Sequence, residues 1–284
     1  MKANKTFVLI DRKETTKSEN WKVAHEAIYS AIQKCVWPLN ATDRKFTLPR
    51  IIQLKPGDSY TTLIGKTTKW TAEAKNLRNG VLPLRKMFRQ NLVASLDWKA
   101  EEPLDLAKYF EVTRNNEALE KIFLYPTGEA LKDPLHEGVG EFDFWFQSKD
   151  GFRVVVEWET GNISSSHRSL NKMCLALMGG LVDAAVLIVP SAALRPHLTD
   201  RIGNITELQP YFYFWQSVAP RIGKGILAVI EVEQDELIKS SDLRIFIPVG
   251  SDGNARRFVN KTKSKTKSTV KAKASPKKRK KGSL

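Results

Sequence analysis

Two carboxylates separated by one residue, Glu157 and Glu159, close an apolar run that begins Phe152-Arg153-Val154-Val155-Val156. Side chains of an extended chain alternate between faces, so both acids fall on one face of a strand otherwise suited to burial. Such a strand must either solvate its charges or use them. Upstream, Phe142-Asp143-Phe144-Trp145-Phe146 is joined to it through Ser148-Lys149-Asp150-Gly151, a hairpin signature. With Lys149-Asp150-Gly151 as a three-residue loop and Gly151 left-handed, Ser148 pairs with Phe152. Counting back along both strands then sets Asp143 opposite Glu157, on the face that also carries Glu159. A slip of one residue would move Asp143 to the other face.

Three carboxylates on adjacent strands repel one another, and a divalent cation is the simplest way to stabilise them. Oxygen-only ligands suit Mg²⁺, which keeps waters and accepts a phosphate oxygen. One or two such ions can activate a water and stabilise the leaving oxygen of a phosphodiester. The acids alone fit a solvated sheet face better than a metal site. The polar and basic segment that follows, Asn162-Ile163-Ser164-Ser165-Ser166-His167-Arg168, shifts the balance, because it could grip nucleic acid beside the acids.

The elements that must position these groups are legible around them. Thr160-Gly161-Asn162 breaks the strand, and any of Ser164, Ser165 or Ser166 can cap the next helix. Its stripe is Leu170, Met173, Cys174, Leu177 and Met178, with His167, Arg168, Asn171 and Lys172 on the other side, and Gly179-Gly180 stops it. Asp183 to Pro190 is a continuous apolar strand, so strand, helix and strand form a crossover unit whose sheet is covered on both faces. The fold class is α/β, with a mixed central sheet and helices on both faces. Nearer the N-terminus, Val23, Ala27, Ile28, Ala31 and Ile32 predict a helix over 20–35 that Trp37-Pro38 ends. A loop-rich stretch to Lys75, with two short β-branched runs that could pair, reads as an insertion. Asn79-Gly80 and Pro83 open a helix from Leu84 to about Trp98, striped by Met87, Phe88, Leu92 and Leu96. No internal repeat is visible.

Lys and Arg outnumber Asp and Glu by 46 to 31, a net charge of +15, but eleven of the cations lie between Lys261 and Lys281 without one acid. Residues 1–260 therefore carry only about +4, and the basicity belongs mostly to the tail. Such a tail cannot bury apolar surface and is expected to be disordered. It suits non-specific phosphate binding or, in its last cluster, nuclear targeting; a solubilising extension explains it equally well. The expected division is a domain over 1–258 and a tail over 259–284. No run approaches a membrane span and no signal-peptide layout opens the chain, so an intracellular protein is expected. Cys35 and Cys174, far apart in apolar helical patterns, look like core thiols.

The run Glu157 to Lys172 resembles the corresponding segment of the BamHI family of type II restriction endonucleases, within the PD-(D/E)xK-like nucleases. The likeness extends in order through Trp37-Pro38, Asn79-Gly80-Val81, Glu101 with Pro103-Leu104-Asp105, Leu198-Thr199-Asp200-Arg201, Glu207 to Phe212, and Gly250-Ser251-Asp252-Gly253. The segments near 50–75 and 106–140 look longer than in the family, and the tail beyond about 260 has no counterpart. The resemblance implies a restriction-endonuclease-like fold and a homodimeric, Mg²⁺-dependent, cytoplasmic prokaryotic enzyme. It would cut double-stranded DNA at a palindrome to leave a 5′-phosphate and a 3′-hydroxyl. Asp143, Glu157, Glu159 and Glu101 would be its catalytic acids, the metal held by Asp143, Glu157 and Glu101. Glu159 would orient or deprotonate the attacking water, at a position where many related nucleases carry lysine. Adjacent Glu102 takes the place of Glu101 under a one-residue shift.

For DNA recognition the resemblance implies Asn162, Ser164, Arg168, Asp200 and Arg201 in the major groove, and Gly250, Gly253 and Asn254 on a C-terminal arm at the minor groove. Arg donating twice to guanine, Asp accepting from cytosine and Asn pairing with adenine accord with the physics of groove reading. The major-groove positions match throughout, so the implied target is G-G-A-T-C-C, read by a two-fold dimer. Asn254 replaces a Met of the family and Ser166 an Ala. His167 reads as a phosphate or dimer contact, or a plain polar helix residue, since no second histidine lies at ligand spacing. Two other readings remain: a catalytically silent DNA-binding protein on the same scaffold, and a related nuclease with altered specificity.

Overall fold

In chain order the elements are β1 (Lys2–Arg12), α1 (Glu19–Gln33), the short strands β2 (Thr47–Pro49), β3 (Ile52–Leu54), β4 (Ser59–Thr61), β5 (Thr67–Lys69) and β6 (Lys75–Leu77), α2 (Leu82–Val93), β7 (Lys99–Pro103), β8 (Glu141–Gln147), β9 (Arg153–Trp158), α3 (Ile163–Met178), β10 (Ala184–Pro190), α4 (Ile205–Leu208), α5 (Phe212–Gln216), β11 (Gly225–Glu233) and β12 (Glu236–Ile238). The computed structural model describes residues 1–103, 124–129, 140–199 and 202–249. The 106–140 segment, but for its few described residues, the boundary at 258 and the tail 259–284 lie outside them. Met1–Val249 clusters as one unit.

Six strands form the central sheet in the order β1-β11-β10-β9-β8-β7. The pairs β9/β10 and β10/β11 are parallel, while β1/β11, β8/β9 and β7/β8 are antiparallel, so the sheet is mixed. The parallel pair β9/β10 is joined through α3, as the apolar patterns of both strands require. One face of the sheet packs Val154, Val156, Val186, Ile188 and Ala228 against α1 and α2. The other packs Val155, Leu187, Val189 and Val229 against α3 and the short helices α4 and α5. The fold is α/β with helices on both faces.

The β8–β9 hairpin takes the anticipated register. Gly151 has φ +86°, its N–H donates to Ser148 O at 3.0 Å, and Ser148 N–H donates to Phe152 O at 2.9 Å. The ladder runs back through Trp145↔Val155 to Phe144↔Val156. Sequence reasoning assigned no element to β1 or to β11, although β11, Gly-Ile-Leu-Ala-Val-Ile-Glu-Val-Glu, is buried along nearly its whole length. A run this apolar carries no period that separates strand from buried helix.

Three helix expectations need correction. In α1 the buried residues are Trp21, Ala24, Ala27, Ile28, Ala31 and Ile32, whereas Val23 is 44% exposed. At 100° per residue Val23 lies about 120° from the centre of that stripe, and Ala27 sits on its edge. Helix α2 ends at Val93, and Trp98 is buried beyond it, stacked on Phe146 at 5.2 Å. In α3 the cap is Asn162, whose side chain accepts from Ser165 N–H at 3.2 Å, rather than one of the three serines. Ser166 and Lys172, the latter expected on the outer face, are both buried, and Met178 only partly so.

The 50–75 insertion folds as two small antiparallel ribbons, β3/β6 and β4/β5. Asn79-Gly80, read as a helix opener, is a clamp. The buried Asn79 amide donates to Pro49 O (3.0 Å) and His197 O (2.9 Å), and its Oδ1 accepts from Ile247 N–H (3.0 Å). Gly80 lies against the Pro248 carbonyl, where a Cβ would have no room. Cys35 and Cys174 are buried free thiols, as expected, and burial pushes both up to about 12. Among the described residues no helix is long and apolar enough to cross a membrane.

Candidate functional site

Parallel strands joined by a helix leave an opening past their carboxyl ends, where the chain leaves one strand to start the next helix. Here that opening is a cleft of about 420 Å³ lined by Glu141, Asp143, Glu157, Glu159, Arg85, Arg168 and Lys172, among others. It collects Asp143, Glu157, Glu159 and Arg168 of the residues singled out from sequence. Glu101 does not line it.

Glu157 lies in register with Leu187 of β10, itself beside Val229 of β11, and is 9% exposed. A carboxylate in such a row loses most of its water. Burial, and then the neighbouring Asp143, push its pKa upward against the opposing Lys172. Lys172 Nζ donates to Glu157 Oε1 and, at 2.5 Å, to Glu141 O, and it stands 4.4 Å above the Phe142 ring. The lysine is drawn inward by a carboxylate on the sheet, which a helical stripe cannot reveal.

At Asp143 the β8–β9 ladder opens. Continued past Phe144↔Val156, the register would pair Trp158 with Phe142; instead Trp158 N–H donates to Asp143 Oδ2 at 2.9 Å. Phe142 packs with the α3 side while Phe144 and Phe146 pack on the other, so β8 turns over at this point. Asp143 Oδ1 accepts from Arg85 Nη2 at 2.6 Å. The same nitrogen lies 3.9 Å from Glu101 Oε1. Glu101 falls opposite Asp143 in the β7/β8 register, but its side chain is 57% exposed and its φ is +58°, a left-handed conformation costing an L residue roughly 1–2 kcal/mol. Glu101, Asp143 and Glu157 thus occupy neighbouring positions across three strands.

Glu159 is 4% exposed, and both its oxygens are held: Gly161 N–H donates to Oε1 at 2.5 Å and the Ser166 hydroxyl donates to Oε2. Burial raises its pKa to about 7, opposed by those hydrogen bonds. A carboxyl so placed can exchange a proton near neutrality.

Asn162, Ser164 and Arg168 are all exposed on the first turns of α3, with Arg168 turned to the cleft. Asp200, Arg201, Gly250, Gly253 and Asn254 lie outside the described residues. His167 packs edge-on against Tyr211 (4.5 Å) and Trp215 (5.3 Å). Sequence reasoning missed Arg85 and Lys172. The helical period placed Arg85 off the stripe of α2, but only the sheet's topology brings it to Asp143.

The donors of the cleft are oxygens, the chemistry a hard divalent cation takes. Among the described residues no three metal-ligating side chains converge at coordination spacing. Asp143 and Glu157 suit one ion between them, at positions where Arg85 and Lys172 now supply the positive charge.

The family model described as "Restriction endonuclease BamHI" matches residues 1–254. The type II restriction enzyme OkrAI of Oceanobacter kriegii is 43% identical over 107 residues, 38% of this chain and 53% of that enzyme. The type II restriction enzyme BamHI of Bacillus amyloliquefaciens is 29% identical over 266 residues, 93% of this chain and 98% of that enzyme. The chain thus spans about half the length of the first relative and nearly all of the second. A crystal structure of the restriction endonuclease BglII complexed with a DNA 16-mer superposes with a TM-score of 0.43 at 10% identity, over 81% of this chain and 79% of that one.

Proposed function

The chain belongs to the BamHI restriction endonuclease family, and from that premise we propose that it is a type II endonuclease that hydrolyses double-stranded DNA at a palindromic site. The proposed site is G-G-A-T-C-C, and the proposed cofactor is Mg²⁺. The observation that carries this reading is the gathering of Asp143, Glu157 and Glu159 in one cleft beside the N-terminal turns of α3 and Arg168.

In this reading Asp143 and Glu157 hold the metal, with Glu101 joining from β7. Bound there, Mg²⁺ would supply Lewis-acid stabilisation of charge on the phosphate and the leaving oxygen. Glu159 orients the attacking water and takes its proton, a role suited to a carboxyl poised near 7. Arg85, which bridges two acids, meets phosphate oxygens in this reading. Asn162, Ser164, Arg168, Asp200 and Arg201 read base edges in the major groove. Gly250, Gly253 and Asn254 approach the minor groove. A two-fold palindrome calls for a two-fold pair of chains, one active cleft per strand.

The test incubates purified protein with plasmid and Mg²⁺ and sequences the ends. Cuts within G-G-A-T-C-C bearing 5′-phosphates are expected. Cuts at another sequence would remove the specificity claim, and specific binding without cuts would leave a DNA-binding protein on this scaffold. Glu159→Ala is expected to abolish cleavage while retaining duplex binding; turnover by that variant would take Glu159 out of the mechanism.

A further inference from the structure

Glu159 is held by two donors, and both trace back to one glycine. The first is Gly161 N–H on Oε1 at 2.5 Å, and the Gly161 carbonyl accepts in turn from Gly203 N–H at 3.0 Å. The second is the Ser166 hydroxyl on Oε2. Ser166 is fully buried one turn into α3, where a serine hydroxyl commonly bonds back to a main-chain carbonyl of its own helix. Among the described contacts this hydroxyl has Glu159 alone. What keeps it there is again Gly203. A Cβ at 203 would overlap Ser166 Oγ and stand 3.2 Å from Ile163 Cα and 3.4 Å from Ile163 N. The backbone at 203 therefore lies directly on the first turn of α3 and walls in the serine side chain.

We propose that Ser166 is a positioning residue for Glu159 and that Gly203 sets it, so that the segment Ile202–Gly203–Asn204 fixes the plane of the Glu159 carboxylate. Two donors on two oxygens stop the carboxylate from rotating. Its remaining lone pairs then keep one direction relative to the cleft that Glu159 lines. Fixing a water-orienting group in this way acts on the chemical step rather than on duplex affinity, because the groups concerned are buried away from the exposed face of α3. Gly203 follows the Asp200-Arg201 pair by two residues. Gly203 reaches Glu159 by two short routes, one through Gly161 and one through Ser166. The proposal rests on the nuclease reading of Glu159 given above.

The test uses the full chain with Ser166→Ala, Gly203→Ala and the double variant. Single-turnover cleavage of a duplex containing G-G-A-T-C-C is measured in Mg²⁺, binding of the same duplex is measured without metal, and thermal unfolding is followed for each protein. Ser166→Ala is expected to slow cleavage roughly 10- to 100-fold, the scale of misplacing a reacting group, with binding changed less than about threefold. Gly203→Ala is expected to slow it comparably by displacing the hydroxyl. In the Ser166→Ala background the same change should add little, since the displaced atom is gone. Wild-type cleavage by Ser166→Ala, or rate effects that multiply in the double variant, would overturn the proposal. If Gly203→Ala shows no cooperative unfolding, the Ser166→Ala rate alone decides. A wild-type chain that cuts no duplex overturns the underlying nuclease reading, and the proposal with it, whereas a cutting wild type with an equally fast Ser166→Ala defeats only the positioning role.

Discussion

Replacing Lys172 with Met tests the electrostatics of the cleft without entering its chemistry. Lys172 and Glu157 are 8% and 9% exposed and form a direct ion pair, with Asp143 pressing on the same carboxylate. Met preserves most of the stem that packs along α3 but strands Glu157. Removing one member of a buried pair costs about 3–5 kcal/mol, and in a domain of this size each kcal/mol moves Tm by roughly 2–4 °C. Together these give a fall of roughly 6–20 °C, measured by calorimetry in metal-free buffer at pH 8. Glu157 can relieve part of it by taking a proton. Its folded pKa already lies above the unfolded value of 4.5, and loss of the lysine raises it further. For a carboxyl shifted upward, stability is present at low pH and lost as pH climbs from the unfolded value through the folded one. The deficit should therefore be smaller at pH 6 than at pH 8, by at most about 1.4 kcal/mol per pH unit. Adding Glu157→Gln should recover much of the loss, because both charges are then gone. A deficit under about 1 kcal/mol that is equal at both pH values, and unchanged in the double variant, would refute the reasoning.

Four further outcomes are expected. Gly80→Ala places a methyl group against the Pro248 carbonyl and 2.8 Å from Val249 Cα, so urea unfolding should show a loss of about 1–3 kcal/mol; a loss below about 0.5 would contradict the clamp. Cys35 and Cys174, with thiol pKa values near 12, should resist a thiol-exchange reagent at pH 8 until denaturant is added, and rapid native labelling would show that their cover opens. His197 Nδ1 accepts from Ile51 N–H at 3.1 Å, and burial, then Arg50, hold its pKa below 6.5; its stabilisation is complete above about pH 6.5 and lost as pH falls toward the lower folded value. The slope of Tm between pH 7 and 5 should therefore shrink in His197→Asn, and an unchanged slope would remove this histidine from the account. Asn162→Asp keeps the helix cap, with stability within about 0.5 kcal/mol, but discards the amide donors and should weaken specific duplex binding measured by anisotropy; intact binding would exclude Asn162 from base contact.

What could be read from residues alone was whatever a local period or turn fixes. Gly151 and its neighbours set the hairpin register as far as Phe144↔Val156, and Asp143, next along the strand, presses on Glu157. The crossover from β9 through α3 to β10 followed from an apolar strand, a striped helix and another apolar strand. Contacts between elements distant in sequence were not legible. Arg85 meets Asp143 across 58 residues, and Lys172 turns inward because Glu157 faces it from another element. The helical stripe predicted the reverse for Lys172, since a stripe ranks positions by apolar company and is blind to a buried counter-charge. Asn79 read as part of a helix opening for the same reason. Its partners Pro49, His197 and Ile247 come from three separate stretches.

The charges of the cleft also bear on when a metal could bind. Glu141, Asp143, Glu157 and Glu159 face Arg85, Arg168 and Lys172, so the lining is close to neutral, and Asp143 and Glu157 each already have a cationic partner. Each buried carboxylate has either a cation or two hydrogen-bond donors, which offsets the cost of its burial at a strand end. This balance also lowers the attraction a divalent ion would feel, since every added positive charge must compete with Lys172 and Arg85. On the proposed function a DNA phosphate entering the cleft would reverse that argument, because it would add negative charge and offer Arg85, the more exposed of the two cations, another partner. On the proposed function, metal and duplex should therefore bind each more tightly in the presence of the other, a reciprocity that linkage requires to be equal in both directions.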